Sequence, residues 1–225
     1  MKLHNIIFVG IFLLGGCLQY KSPDRNTWDK YLYGASFTDL TEVTQTAKMP
    51  VYMGKGGKRI TQSGELSERM QYGDKNSIDN AVLINYMSAL EYELYDALRK
   101  PGISVQRAGT DVVIILVRDS IMQRDIADIS ADGADTLKTI SKILKKYNAT
   151  FLEIAGYTDS MKDTNAAHAL SLDMAERIGV YFAKHDISPV RMFIVGRGSA
   201  RPIAAQDDMG RLMNRRVEIR LTPAR

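Results

Sequence analysis

The chain has few of the residues on which enzymes and metalloproteins depend. It contains a single cysteine, Cys17, among 225 residues, so neither an intramolecular disulfide nor a thiolate zinc cluster can form. Of its three histidines, His168 and His185 lack a second histidine or a glutamate at the spacing of a metal-binding helix. Ser199 lies outside a Gly-x-Ser-x-Gly nucleophile turn. These absences predict a protein that is not an enzyme and that holds no metal or cofactor.

No apolar run in the amino-terminal part is long enough for a transmembrane helix. Residues 6–14 form a run of about nine apolar positions, whereas a spanning helix needs about 20. Lys2 precedes this run and small residues follow it, which is typical of a secretory signal over residues 1–16. The segment Leu14-Gly15-Gly16-Cys17 resembles a bacterial lipobox, which implies acyl chains on Cys17. In lipoproteins, Leu18 rather than aspartate at the next position implies sorting to the outer membrane.

Overall composition is that of a globular protein with a modest positive charge. Hydrophobic residues make up 45% of the chain, and 30 basic against 26 acidic residues leave a net charge of +4. This excludes a disordered chain and a polytopic membrane protein, and it gives no reason to expect nucleic-acid binding. Residues 17–80 show no strong periodicity of apolar residues, which predicts a lipidated amino terminus followed by a polar tether. The aromatic residues Trp28, Tyr31 and Tyr33 in this segment are candidates for local packing or for contact with a partner.

The rest of the chain predicts an α+β fold. Residues 81–100 form a helix that Pro101-Gly102 ends, with a stripe that includes Val82 and Met87. A hairpin, a helix and a strand follow, then a helix with Leu170 and Met174 on its apolar stripe, and two further strands. The order predicts helices packed on a mixed sheet. The predicted strands are 103–107, 111–117, 150–155, 191–195 and 216–221, and the later helices begin near residues 130 and 166.

Several sequence blocks resemble one known domain. They are Gly156-Tyr157-Thr158-Asp159, Leu170-Ser171, Val195-Gly196-Arg197-Gly198 and the run Gly210 to Ile219 containing Asn214-Arg215-Arg216. Their order and spacing are similar to the carboxy-terminal domain of outer-membrane protein A and to peptidoglycan-associated lipoproteins. The resemblance implies an OmpA-like β-α-β-α-β sandwich over residues 101–225, with residues 81–100 as the helix that leads into it.

The resemblance also implies a ligand and a site. In that family the domain binds peptidoglycan without covalent chemistry, through the diamino acid of the stem peptide. A carboxylate at the position of Asp159 binds its ammonium, beside Thr158, and an arginine on the following helix binds its carboxylate. The Asn-Arg-Arg block, here Asn214, Arg215 and Arg216, helps to frame the pocket.

This sequence departs from the family pattern at the helix arginine. Alignment through Asp159 and Ser171 places Met174 at that position. Arg177 lies three residues further along and within about 60° around a helix axis, so it is a candidate replacement. Met174 also fits a simple role as one more residue of the buried stripe.

Two functions follow from this pattern. The first is an outer-membrane lipoprotein whose domain, in the periplasm, binds peptidoglycan and tethers the membrane to the cell wall. The second is a lipoprotein scaffold subunit of an envelope-spanning secretion or conjugation complex, with a degenerate pocket and other envelope proteins as partners. The loss of the helix arginine motivates the second, because a charge-assisted contact is worth about 1.5–3 kcal/mol.

Overall fold

The computed structural model describes residues 62–123 and 128–224, and among these the side chains of residues 62–67 are not described. The signal segment, Cys17 and the three tether aromatics therefore lie outside the described residues. The helices are α1 (Gln62–Asn76), α2 (Asn80–Ala97), α3 (Arg118–Ile121), α4 (Ala131–Lys146), α5 (Thr164–Lys184) and α6 (Asp208–Asn214). The strands are β1 (Ile103–Ala108), β2 (Asp111–Val117), β3 (Thr150–Tyr157), β4 (Met192–Gly196) and β5 (Arg216–Pro223), with a 3-10 turn at Pro189–Arg191 before β4.

A five-stranded mixed sheet in the order β1-β2-β5-β3-β4 organises the domain. All pairs are antiparallel except β3 with β4, which is parallel because α5 connects them. The predicted α+β fold with helices on a mixed sheet is confirmed. Strand β2 is buried at every position, as its continuous apolar run predicts.

The main core lies between one face of the sheet and the helices α2, α4 and α5. Burial of their apolar side chains against the sheet is the main stabilising term for such a layer. The core side chains of the helices include Met87, Leu90 and Leu94 on α2, Leu137, Ile140 and Leu144 on α4, and Met174, Ile178 and Phe182 on α5. The sheet contributes Ile114, Leu116, Leu152, Ile154, Ile194, Val217, Ile219 and Leu221.

Two predicted stripe residues point elsewhere. Val82 is exposed, and Leu83 takes the buried place because the observed stripe runs through Leu83, Met87, Leu90 and Leu94. On α5, Leu170 is also exposed, because small residues, among them Ser171, form the buried line at that end of the helix.

The prediction of a tether over residues 17–80 is wrong for residues 62–76, where the structure has α1. This helix contacts the sheet face opposite the main core. The Arg69 guanidinium lies 3.7 Å from the centre of the Phe193 ring, and Tyr72 packs edge-on against Phe151. The Tyr72 hydroxyl donates a hydrogen bond to the Asn148 carbonyl at 2.8 Å. Cationic and aromatic contacts hold α1 in place. The sequence of this segment therefore lacks the periodic apolar residues from which a packed helix is usually predicted.

That second sheet face is polar and buried. Along β5 the apolar residues Val217, Ile219 and Leu221 alternate with charged ones, and the charged side chains are buried in ion pairs instead of facing water. On β5 the pairs are Arg216–Glu218 at 2.8 Å and Arg220–Asp111 at 2.9 Å. On the neighbouring strands, Arg197 after β4 pairs with Glu153 on β3 at 3.0 Å. Buried charges need such partners, and two of these pairs link neighbouring parts of the sheet, Arg220 on β5 to Asp111 on β2 and Arg197 after β4 to Glu153 on β3.

A close approach between sheet and helix sets the position of α5. A Cβ atom on Gly156 would lie 1.8 Å from the Ser171 carbonyl oxygen, so only glycine fits at this point of β3. The Ser171 hydroxyl then accepts a hydrogen bond from the Gly198 amide at 2.9 Å and donates one to the His168 carbonyl at 2.8 Å. The Gly-Tyr-Thr-Asp and Leu-Ser blocks are therefore parts of one junction at the carboxyl end of β3.

Candidate functional site

The register of two strands brings the predicted site residues together. Strands β3 and β5 are antiparallel, and their last pair at this end of the sheet is Tyr157 opposite Arg216. Residues that follow β3 and residues that precede β5 therefore leave the sheet side by side. Asp159 and Arg215 meet there, although 56 positions separate them along the chain. We call Thr158, Asp159 and Arg215 the Asp159 site.

Asp159 and Arg215 form a loose ion pair. Arg215 Nη1 lies 3.5 Å from Asp159 Oδ2, longer than the 2.7–2.9 Å that is usual for a charge-assisted hydrogen bond. The side chains are 19% exposed for Asp159 and 31% exposed for Arg215. Both charges are thus partly shielded from water but still accessible, and neither fully neutralises the other.

Two buried polar atoms at the Asp159 site have no hydrogen-bond partner in the described part of the chain. They are Thr158 Oγ1 and Arg215 Nε. The Thr158 amide, in contrast, donates to the Gly198 carbonyl at 2.8 Å, which fixes the backbone just before Asp159. Buried polar groups are normally hydrogen-bonded, so these two atoms keep unused hydrogen-bonding capacity next to the partly exposed carboxylate.

Asn214, predicted to frame the pocket, is fully buried and holds the neighbouring loop. Its Oδ1 accepts hydrogen bonds from the amides of Ile203 at 2.8 Å and Ala204 at 3.0 Å. Its Nδ2 donates to the Ala204 carbonyl at 3.0 Å. The side chain is therefore engaged with the protein backbone, and it fixes residues 203–204 beside the Asp159 site.

Arg216, the other outer member of the Asn-Arg-Arg block, is buried beneath the site. Its guanidinium lies 3.9 Å from the centre of the Tyr157 ring and donates to Glu218 and to the Asn214 and Arg201 carbonyls. Burial, together with the nearby Glu218, raises the pKa of Tyr157 above its usual range, so this phenol stays neutral. Arg216 therefore supports the floor of the site.

The loops on either side of Asp159 are joined to each other. The Ser160 hydroxyl donates to Gln206 Oε1 at 3.0 Å, which links the loop after β3 to the loop before α6. Asp163 caps α5 by accepting from the amides of Asn165 and Ala166 at 2.8 and 3.1 Å. Asp163 is thus occupied by helix capping, and Asp159 is left as the carboxylate of the site.

In the structure, Met174 and Arg177 both make contacts within the protein. Met174 is buried in the main core, as its position on the stripe suggested. Arg177 Nε donates to Asp173 at 2.9 Å, and its Nη1 pairs with Asp128. The hydrogen bond that Arg177 donates to Asp173 raises the pKa of Arg177, and Asp128 adds to the effect. The described partners of Arg177 are therefore these two carboxylates.

The Asp159 site holds two opposite charges side by side. A carboxylate and a guanidinium side by side complement an ammonium and a carboxylate on one molecule. Across residues 62–123 and 128–224, no cluster of three or more His, Cys, Asp or Glu is arranged to hold a metal ion. Within those same ranges no helix is both long and apolar enough to cross a bilayer.

Comparison with known proteins finds a family match and related proteins for this part of the chain. Residues 123–215 match the model of the OmpA family. The probable lipoprotein YiaD of Escherichia coli is 32% identical over 61% of this chain and 64% of its own length. The chain thus spans slightly less than two thirds of that relative.

Solved structures confirm the fold. The periplasmic domain of Helicobacter pylori MotB superposes with a TM-score of 0.52 at 23% identity, covering 57% of this chain and 85% of that one. The cell wall anchor of the T6SS from Pseudomonas aeruginosa gives a TM-score of 0.52 at 22% identity, covering 60% of this chain and 96% of that one.

Proposed function

Because residues 123–215 form an OmpA-like domain, we propose that this protein binds peptidoglycan without covalent chemistry and tethers the outer membrane to the cell wall. The observation that carries the proposal is the accessible Asp159 carboxylate beside two unsatisfied buried polar atoms. The ligand is the diamino acid of the stem peptide. Its ammonium binds Asp159, and the Thr158 hydroxyl provides a further hydrogen-bonding atom.

The residues around Asp159 position it for this role. Asn214 fixes the loop at residues 203–204, and the Arg216 guanidinium packs against the Tyr157 ring. A site whose side chains are already held in place loses little conformational entropy when a ligand binds. We therefore assign Asn214 and Arg216 to positioning, and Thr158, Asp159 and Arg215 to ligand contact.

The amino-terminal segment gives this proposal its cellular setting. Acyl chains on Cys17 hold the protein in the outer membrane, because two or more chains anchor stably where one does not. The OmpA-like domain then lies in the periplasm. Attachment at the membrane raises the effective concentration of the domain near the wall, so a modest affinity for each stem peptide is enough.

Sedimentation with purified sacculi tests the proposal. The full chain in detergent micelles is expected to pellet with sacculi, and Asp159→Asn is expected to weaken binding about 10- to 150-fold. This range corresponds to the loss of a charged hydrogen bond worth about 1.5–3 kcal/mol. Asp186→Asn is the matched control, since Asp186 is an exposed carboxylate paired with Lys145 on another part of the surface. A wild-type chain that stays in the supernatant would contradict the proposal.

A scaffold role in an envelope-spanning complex is the second candidate. The observation in its favour is an exposed apolar line on α2, where Ile84, Tyr92 and Tyr95 are 67%, 70% and 57% exposed. Exposed aromatic side chains on one helix face are typical of contacts with other proteins. Under this alternative, the chain would fail to pellet with sacculi and would remain in a protein complex after detergent extraction.

A further inference from the structure

We propose that Arg215 binds the free side-chain carboxylate of the stem-peptide diamino acid, in place of the helix arginine that this chain lacks. The inference rests on the proposed function and adds a specificity to it. A site whose anion contact is a guanidinium prefers a stem peptide with a free carboxylate over one in which that group is an amide.

The first step is the exclusion of the α5 residues. Met174 is 1% exposed and packs in the main core, so it offers neither charge nor surface to a ligand. Arg177 has two carboxylate partners, Asp173 and Asp128, which already compensate its charge. Recruitment of Arg177 would break both ion pairs, whereas Arg215 contacts Asp159 without any rearrangement.

The second step is the backbone of Arg215, which is fixed on both sides. Its amide donates to the Arg211 carbonyl at 3.2 Å at the end of α6, and its carbonyl accepts from the Arg118 amide at 2.8 Å. The side chains of Asn214 and Arg216 are buried and directed to other partners. Of the three residues in the Asn-Arg-Arg block, Arg215 alone therefore presents its side chain to the Asp159 site.

The third step is the unused hydrogen-bonding capacity of the Arg215 guanidinium. Its described carboxylate contact is the single Nη1 to Asp159 distance of 3.5 Å, and the side chain is 31% exposed. A carboxylate can bind a guanidinium through two parallel N–H···O bonds, which is the strongest geometry available to this pair. A ligand whose carboxylate binds Arg215 and whose ammonium binds Asp159 would give each charge of the loose ion pair a close partner.

Calorimetric titration of the full chain with two synthetic peptides tests the assignment. The probes are the tripeptide L-alanyl-γ-D-glutamyl-meso-diaminopimelate and the same peptide with its diaminopimelate side-chain carboxylate amidated. The wild-type chain is expected to bind the free acid at least tenfold more tightly than the amide. In Arg215→Met, the affinity for the free acid is expected to fall at least tenfold, so that the two peptides bind almost equally. Arg215→Lys is expected to keep part of the preference, because it retains the charge but not the bidentate geometry.

Arg177→Met is the matched control and is expected to bind both peptides as the wild type does. Loss of the preference in Arg177→Met, with Arg215→Met unchanged, would overturn the assignment but leave the proposed function intact. Equal binding of both peptides by the wild-type chain would also overturn the assignment of Arg215 and leave the proposed function intact. A wild-type chain that binds neither peptide nor sacculi would overturn both proposals. The comparison within the wild-type chain does not depend on the folding of any variant.

Discussion

Replacing Arg191 with methionine is expected to lower the free energy of unfolding by about 3–5 kcal/mol, because several buried acceptors lose a charged donor at about 1–3 kcal/mol each before relaxation. Arg191 is buried in the turn before β4, and its guanidinium donates four hydrogen bonds. The acceptors are the carbonyls of Leu144, Tyr147 and Thr150 and the Thr150 hydroxyl, at 2.8–3.0 Å.

The reason for this large effect is the position of the acceptors. The Leu144 carbonyl is one of the last four of α4, which have no partner within the helix and carry the negative end of its dipole. Desolvation lowers the pKa of the Arg191 guanidinium, so burial already disfavours its charge, and the four acceptors compensate. Methionine would remove all four hydrogen bonds; the Thr150 hydroxyl would still donate to the Tyr147 carbonyl, but the Leu144 and Thr150 carbonyls would lose this buried donor.

Urea denaturation followed by circular dichroism measures this effect. Arg99→Met is the control, because Arg99 is 65% exposed and its contacts, with Asp96 and with the Tyr95 ring, lie on the surface of the helix end. The control is expected to change the free energy of unfolding by less than about 0.5 kcal/mol. A change below about 1 kcal/mol for Arg191→Met would show that the turn does not depend on the guanidinium.

Asn214→Ala is expected to destabilise the protein by about 2–4 kcal/mol and to weaken binding to sacculi in the same variant. The change leaves the buried amides of Ile203 and Ala204 and the Ala204 carbonyl without partners, at about 1–3 kcal/mol for each unsatisfied group before relaxation. The loop at residues 203–204 would then lose its attachment beside Arg215. Affinity should fall although Asn214 is not assigned to ligand contact.

Two measurements on one preparation check this expectation. Denaturation gives the stability, and sacculus sedimentation below the unfolding transition gives the affinity. Asn85→Ala is the control, since Asn85 is exposed on α2 and its replacement should leave both quantities unchanged within error. Unaltered affinity in a folded Asn214→Ala variant would mean that the loop does not position the site.

The fold could be predicted from the sequence for those helices and strands whose apolar residues follow a regular pattern. Strand β2, the stripe of α4 and the alternation of β5 all follow from periodicity, and the structure confirms them. Helix α1 could not be predicted in this way, because Arg69 and Tyr72 hold it through ring and carbonyl contacts. Nor did the pattern show that the charged residues of β5 are buried, since Arg220 pairs with Asp111 on β2 and Arg216 pairs with Glu218 within β5 itself.

The residues of the candidate site could be predicted from the sequence only in part, because contacts between distant positions leave no local pattern. Motif spacing indicates Asp159 and the Asn-Arg-Arg block, but it does not distinguish the accessible Arg215 from the buried Asn214 and Arg216. That distinction depends on the β3–β5 register, which sets Arg215 beside Asp159. The ion pair of Arg177 with Asp128 is equally invisible to spacing, because Asp128 lies 49 positions away on a loop.

The most direct test of the account is whether Asp159 binds the side-chain ammonium of the stem-peptide diamino acid. Amide chemical shifts of Thr158 and Asp159 in the full chain would be followed by NMR during titration with the meso-diaminopimelate tripeptide. The same titration would use the peptide with its side-chain amine acetylated. The account predicts saturable shifts with the free amine and none with the acetylated peptide at equal concentration. Equal shifts with both peptides, or none with either at millimolar levels, would contradict it.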